Sequence, residues 1–192
     1  GTVDAGTLAT NSVDSAEIVT GSIDTAHIGT NQITSAILPT GSILQVVQTL
    51  WSTAAGTTVG TTWTDLTDLN ATITPLSTSS KIYATYSVNL GSVTNNVGGL
   101  RLIRGSTPLG IATSFGNRIG ACSAFQGFSN NNQMNYVFPF LDSPSTTNST
   151  TYKVQFYNTT TGQITFNYGY NNQDNSGIVR TSSTLTLMEI AG

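Results

Sequence analysis

The first 40 residues are four ten-residue copies set end to end: GTVDAGTLAT, NSVDSAEIVT, GSIDTAHIGT and NQITSAILPT. In every copy position one is Gly or Asn, position three is Val or Ile, position eight is Leu or Ile, and position ten is Thr. A repeat this short carries two large apolar residues per copy and has no second face on which to bury them, so other chains must cover them. The residues assigned to that shared core are Val3, Leu8, Val13, Ile18, Ile23, Ile28, Ile33 and Leu38. Small residues at position six (Gly6, Ala16, Ala26 and Ala36) let chains approach closely around a common axis. The expected assembly is a homotrimeric fibrous stalk.

The two apolar anchors of a copy are five residues apart, which fits neither a helix face nor a strictly alternating strand. Each copy must therefore bend, and the Gly or Asn at position one supplies a residue that tolerates positive φ. Short strands joined by turns are the expected local structure, with isolated helical turns as the competing one. Asp4, Asp14 and Asp24 sit where an acceptor caps a helical turn, and Asp14 with Glu17 has the spacing of a capping box. If such aspartates faced a three-fold axis they would stack into carboxylate rings able to hold a cation; solvated or capping aspartates are the plainer reading, and no metal is assigned. His27, the only histidine, occupies a variable position and reads as exposed, without a metal or catalytic role.

Charged residues are 8% of the 192, the net charge is −3, and all six Lys and Arg lie beyond the repeat. That excludes the basic footprint of a nucleic-acid or anionic-membrane binder. Low charge with 38% hydrophobic residues also argues against disorder. Cys122 is alone, so no intrachain disulfide forms, and it reads as a small core thiol. No apolar run reaches the length of a membrane span. The chain opens at Gly1 directly in the repeat array and without Met, which points to a piece of something longer.

The period stops at Pro39-Thr40-Gly41, so the expected division is a stalk over 1–40 and a tip over 41–192. The tip reads as β-runs at Ile43–Leu50, Lys81–Leu90, Leu100–Arg104, Ile119–Phe128, Met134–Phe140, Tyr152–Tyr157, Ile164–Tyr170 and Thr184–Ile190. The run from Lys81 alternates strictly and assigns Ile82, Ala84, Tyr86, Val88 and Leu90 to one face. Nine to eleven short strands without helical crossovers predict an all-β tip, an antiparallel two-sheet sandwich of jelly-roll type. In the last run Leu185 and Leu187 belong to the core, while Met188 and Ile190 on the opposite face predict packing against a neighbouring subunit.

The segments GSILQVVQTLWST, ITPLSTSSKI, LRLIRGSTPLG, FLDSPSTTNSTTYKVQFYN and STLTLMEIAG together resemble the distal domain of tail-fibre proteins of tailed bacteriophages, particularly aquatic ones. The preceding decads resemble the shaft repeats of such fibres. The resemblance implies a homotrimeric virion fibre, joined to other virion proteins upstream, whose C-terminal tip touches the host. It implies no catalytic residues.

The chemistry agrees. His27 and Cys122 fall in different regions, and no metal-ligand cluster or phosphate loop is present, so no enzyme and no cofactor is expected. A polysaccharide depolymerase would need paired carboxylates. Asp65 and Asp68 read as surface or turn groups, and Asp142 in Leu-Asp-Ser-Pro as a turn acceptor. Tyr168, Tyr170, Asn171, Asn172 and Gln173, with Asn131 and Asn132 from a second Asn-rich loop, are the candidate receptor contacts. Aromatic rings stack on sugar C–H patches and planar amides pair with hydroxyls, so a bacterial surface glycan is the expected partner, with a protein receptor as the other choice. A head fibre or capsid decoration without receptor function is the alternative role.

Overall fold

The structure, a computed structural model, describes residues 18–192 except 25, 31, 35–36, 93–94, 128–130, 161 and 175, and except the side chains of residues 58–59. It divides into two units, Gly1–Pro39 and Thr40–Gly192.

In the first unit backbone bonds close turns from Ser22 N–H to the Val19 carbonyl, His27 to Asp24, Gln32 to Gly29, and Ile37 to Thr34, at 3.0–3.2 Å. These turns start five residues apart, so among the described residues the decad divides into a pair of turns and the apolar positions three and eight are equivalent. The described part of residues 18–40 contains no strand, against the expectation of short strands. A backbone that turns every five residues has no run long enough to pair. Gly21, at position one, takes φ 81°, as the third residue of a type II turn requires. Asp24 Oδ1 accepts from the Ala26 N–H (2.9 Å) and lies 2.8 Å from His27 Nδ1, so this aspartate stabilises its own turn. Ile18, Ile23, Ile28 and Ile33 are 41–53% exposed within the single chain, and Leu38 is half-buried. Val3, Leu8 and Val13 lie outside the described residues, as do Asp4, Gly6, Asp14, Ala16, Glu17 and Ala36.

The second unit has eleven strands and, among the described residues, no helix: β1 (Ile43–Trp51), β2 (Ala55–Val59), β3 (Thr64–Ile73), β4 (Lys81–Ser92), β5 (Val97–Arg104), β6 (Thr107–Leu109), β7 (Ser123–Gln126), β8 (Gln133–Asp142), β9 (Thr150–Asn158), β10 (Gly162–Phe166) and β11 (Ser183–Ile190). They form two antiparallel sheets of four columns each. β1 and β2 share one column, because β1 pairs β11 while β2 pairs β10. β10 and β11 share another along β4, and β6 and β7 another along β5. Counted along the chain, the columns run first–eighth–third–sixth in one sheet (sheet A) and second–seventh–fourth–fifth in the other (sheet B). This is the double Greek key of a jelly roll.

The core lies between the sheets. The alternation read in β4 holds: Ile82, Ala84, Tyr86 and Val88 are wholly buried and Leu90 nearly so. They face Leu100, Leu102, Val154 and Phe156 of sheet B, with Leu185 and Leu187 beside them. The other face of sheet A is solvent-facing yet apolar. Direct pairing sets Leu141, Tyr83, Met188 and Val46 in one row across its four columns, and Val137, Ser87, Thr184 and Leu50 in another.

Three strand expectations need correcting. The run from Ile164 stops at Phe166, because Asn167 takes φ 66° and leaves the sheet. The run Ile119–Phe128 is strand only over Ser123–Gln126. Asp65 and Asp68 belong to a ten-residue strand, β3, whose register slips between Asp65 and Asn70 and so hides its alternation.

Candidate functional site

The two ends of the sandwich differ in chemistry. The end at which the chain enters, at Gly41, also holds the C-terminus: Gly41 N–H donates to the Ala191 carbonyl, and Ala191 N–H to Ser42, both at 2.8 Å. Two buried carboxylates organise this end. Glu189, wholly buried, accepts from Gln45 Nε2 (2.5 Å) and from the Leu76 N–H (2.7 Å). Asp142, the last residue of β8, accepts from Arg104 Nη1 (2.7 Å) and from the Tyr152 hydroxyl (2.6 Å). Asp142 is therefore an ion-pair partner and not the turn acceptor expected. Burial, with the Asp142 carboxylate beside it, pushes the Tyr152 hydroxyl's pKa up.

The opposite end carries the described residues 60–63, 95–96, 127, 131–132 and 159–160 of the connections between strands, and with them most of the candidate binding groups. Residues 167–182 leave the β10–β11 column and return to it. Their neck is closed by Asn167, which is wholly buried. Its Nδ2 donates to the carbonyls of Trp51 (2.9 Å) and Thr53 (3.0 Å), its Oδ1 accepts from the Ser183 hydroxyl (2.6 Å), and its N–H donates to Asn89 (3.0 Å). Beyond the neck, Asn171 Nδ2 donates to Asn131 Oδ1 at 2.7 Å, so the two Asn-rich loops singled out in the sequence lie side by side. Gln133 joins them again, donating to the Val179 carbonyl (2.7 Å) and accepting from Thr181 (2.6 Å). Gly169 permits this approach: a Cβ there would lie 2.5 Å from the Asn131 carbonyl oxygen. Asn131, Asn132, Asn171, Asn172 and Gln173 are exposed and Tyr170 is half-exposed. Tyr168 is 7% exposed, so the structure corrects its assignment as a surface contact. A Cβ at Gly56 would lie only 2.5 Å from its hydroxyl, so the chain's lack of a side chain there makes room for the buried phenol. Asn172, Gln173, Asp174, Ile178 and Arg180 line a hollow of about 520 Å³.

A second candidate site escaped the sequence reading. Residues 110–122 interrupt the β6–β7 column and fold over the outer face of sheet B. They are pinned at Cys122, whose N–H donates to the Leu100 carbonyl (2.9 Å) and whose thiol donates to Leu109 (3.1 Å). At the tip Phe115 and Arg118 exchange both backbone bonds, at 3.2 and 3.0 Å, with Gly116 at φ 58° between them. Between this loop and the sheet is a mostly apolar cleft of about 470 Å³, lined by Trp63, Val97, Tyr157, Ile119, Asn117 and Arg118 among others. The Trp63 and Tyr157 rings lie 5.4 Å apart at 42°. The Arg101 guanidinium stacks 4.2 Å from the Trp63 ring centroid. Behind it runs a chain of bonds: Arg101 Nε to Gln155 Oε1 (2.7 Å), Gln155 Nε2 to Asp65 (2.6 Å), and Lys153 Nζ to Asp65 (2.6 Å). Hydrogen bonds from Lys153 and Gln155 hold the Asp65 carboxyl below the usual aspartate range. The parts of this cleft are scattered through the sequence, and only the pairing of Gly99 with Tyr157 and Ala124 brings them together.

No family model matches the chain, and no curated protein does. Among solved structures it is similar to chains of infectious bursal disease virus. For the Gt strain the TM-score is 0.40 at 13% identity, covering 77% of this chain and 38% of that one. For the virus-derived T=1 particles it is 0.41 at 12%, covering 77% and 36%. For the VP2 subviral particle it is 0.34 at 11%, covering 77% and 38%. This chain spans little more than a third of the length of those viral chains, and an overlap this loose transfers nothing from them to it.

Proposed function

We propose that this chain is the distal part of a homotrimeric virion fibre that attaches to a bacterial surface by binding glycan, without catalysis. The observation that carries the reading is the five-residue turn period. It leaves a large apolar side chain about half exposed at each of Ile18, Ile23, Ile28 and Ile33, and it runs in sequence directly into the sandwich at Ile43. An uncovered apolar series of this kind is stable only as the inside of an assembly.

The outer face of sheet A supports the same reading. Val46, Leu50, Val137 and Leu141 are 51–61% exposed there, and Lys81 is the one charged side chain on that face among the described residues. A neutral face fits another copy of itself without charge repulsion. The joined loops carrying Tyr170, Asn171, Asn172, Gln173, Asn131 and Asn132 supply amides beside an aromatic ring, a set suited to sugar hydroxyls and C–H faces. They lie away from the end where the repeat enters. The non-catalytic reading is supported by Asp65, whose hydrogen bonds from Lys153 and Gln155 lower its pKa and so oppose general-acid use, and by Asp142 and Glu189, whose carboxylates are taken up by Arg104, Tyr152, Gln45 and the Leu76 N–H. By fold-level analogy alone, jelly rolls serve both virion and lectin roles.

The test is the mass in solution followed by cell labelling. Light scattering is expected to give three times 20.1 kDa, and labelled protein to decorate the bacterium its parent virion adsorbs to. A 20.1 kDa particle would overturn the fibre, and a trimer that labels no such host would overturn attachment and leave a purely structural fibre.

A further inference from the structure

We infer that the cleft between the 110–122 loop and the outer face of sheet B is a binding site for a saccharide ring bearing a carboxylate, an acidic sugar, with Trp63 as its stacking surface and Arg118 as its anion partner. The inference deepens the glycan reading by naming a sugar class, and it places the contact away from the 167–182 loop.

Three features carry it. The volume, about 470 Å³, and the lining, apolar with a few polar groups at the rim, are those of a small-ligand site. The aromatic surface is held in place: Arg101 stacks on Trp63, Gln155 fixes Arg101, and Asp65 fixes Gln155. A ring anchored in this way loses little freedom when a ligand stacks against it. The third feature is charge. Arg101, Arg118 and Lys153 are three of the chain's six Lys and Arg, whereas no carboxylate lines the cleft among the described residues. Asp65, the acid nearest this network, is already matched by Lys153. In a chain of net charge −3, this is a local excess of positive charge beside an aromatic ring. Arg118 sits on the tight Phe115–Arg118 turn with its guanidinium 5.8 Å from the Phe115 ring, and Asn117 beside it offers an amide to a ring hydroxyl. A guanidinium takes a carboxylate in a two-pronged geometry that a hydroxyl cannot match.

The experiment titrates the full chain with sodium glucuronate, glucose and sodium acetate and reads tryptophan emission. Trp51 is buried in the core, so a Trp51→Phe variant reports Trp63 alone. The expected result is a saturable glucuronate response in that variant, roughly tenfold weaker with glucose, absent with acetate, and roughly tenfold weaker in Arg118→Gln. Trp63→Phe in the otherwise native chain should abolish it. Equal responses to glucuronate and acetate would reduce the site to one for any anion, and equal responses to glucuronate and glucose would remove the role of the carboxylate; either overturns the inference. So does a response undiminished in Arg118→Gln, an exposed-loop change that leaves the core untouched. A single sandwich suffices for this binding. A monomeric mass with intact glucuronate binding would therefore sink the fibre reading alone, and a cell-labelling trimer without that binding would sink this inference alone.

Discussion

Asn167 closes the neck of the 167–182 loop, and its replacement makes a sharp test of how that loop is held. The side chain donates twice and accepts once in a site with no solvent exposure, and its backbone takes φ 66°. Each hydrogen bond contributes about 1 kcal/mol net, so Asn167→Gly should cost about 3 kcal/mol. Asn167→Ala loses the same bonds and adds the left-handed penalty of a Cβ, about 1–2 kcal/mol, for about 4–5 kcal/mol in all. Asn167→Asp should be the worst of the three, because it turns a carboxylate oxygen toward the Trp51 and Thr53 carbonyls that now receive a donor. Urea unfolding followed by tryptophan emission at fixed chain concentration, with m unchanged, gives these differences. Hydrogen exchange at the Thr181 amide, which donates to the Asn167 carbonyl, reports the neck itself. Ala no worse than Gly would refute the argument from backbone geometry. A loss below about 1 kcal/mol for both would refute the argument from the side-chain bonds.

Asp142→Ala removes the acceptor of both Arg104 and Tyr152; it should cost about 3 kcal/mol, at the low end for a buried pair because the Arg104 side chain is 26% exposed. Tyr152→Phe should cost about 1.5 kcal/mol, and calorimetry of the double variant should show the two losses to be less than additive. Asp65 is held below its ordinary value, so the stability it contributes is complete above that value and is lost as the pH falls through the lowered one. Asp65→Asn should accordingly lower stability near neutrality, where that contribution is complete, and flatten the acid limb of the stability–pH curve so that variant and parent converge at low pH. If the outer face of sheet A joins copies, Val46→Asp with Leu50→Asp should convert a three-chain particle to single chains in light scattering while leaving the β-rich circular dichroism intact. Burial raises the Cys122 thiol above its usual pKa, so a thiol-specific disulfide reagent at pH 8 should react slowly with the native chain and at the rate of a free thiol once urea unfolds it.

The sandwich was largely readable from the sequence because most of its strands carry clean alternation, β4 above all. Legibility failed where one face stops deciding the pattern. β3 slips register in mid-strand, and β2, with the sequence Ala-Gly-Thr-Thr-Val, has little apolar signal of its own. The decads were read as ten-residue units because composition alternates between successive turns; hydrogen bonding shows the equivalent step to be five. The Asn-rich loops were visible as composition, and their joining at Asn131–Asn171 was not, since residues 40 apart in sequence meet only through the sheet. The cleft had no local signal at all. Trp63, Arg101, Arg118 and Tyr157 are ordinary residues singly and become a site through cross-strand pairing.

Six short segments distant in sequence meet at one end of the sandwich. LQVV, STSSKI, RGST, LDSP, TTYKVQ and LMEIAG supply Gln45, Ser79, Arg104, Asp142, Tyr152 and Glu189, which are bonded to one another or to the backbone at the end where the chain enters. The loops at 110–122 and 167–182 depart from strand columns that resume in line after them, and lengthening such a loop costs only about 0.6 kcal/mol per doubling. The molecule is thus partitioned into a mounting plate, where a change at one residue is felt by several partners, and exchangeable heads that can be rewritten without disturbing the mount. Substitutions and insertions should therefore be tolerated in the heads and costly in the plate.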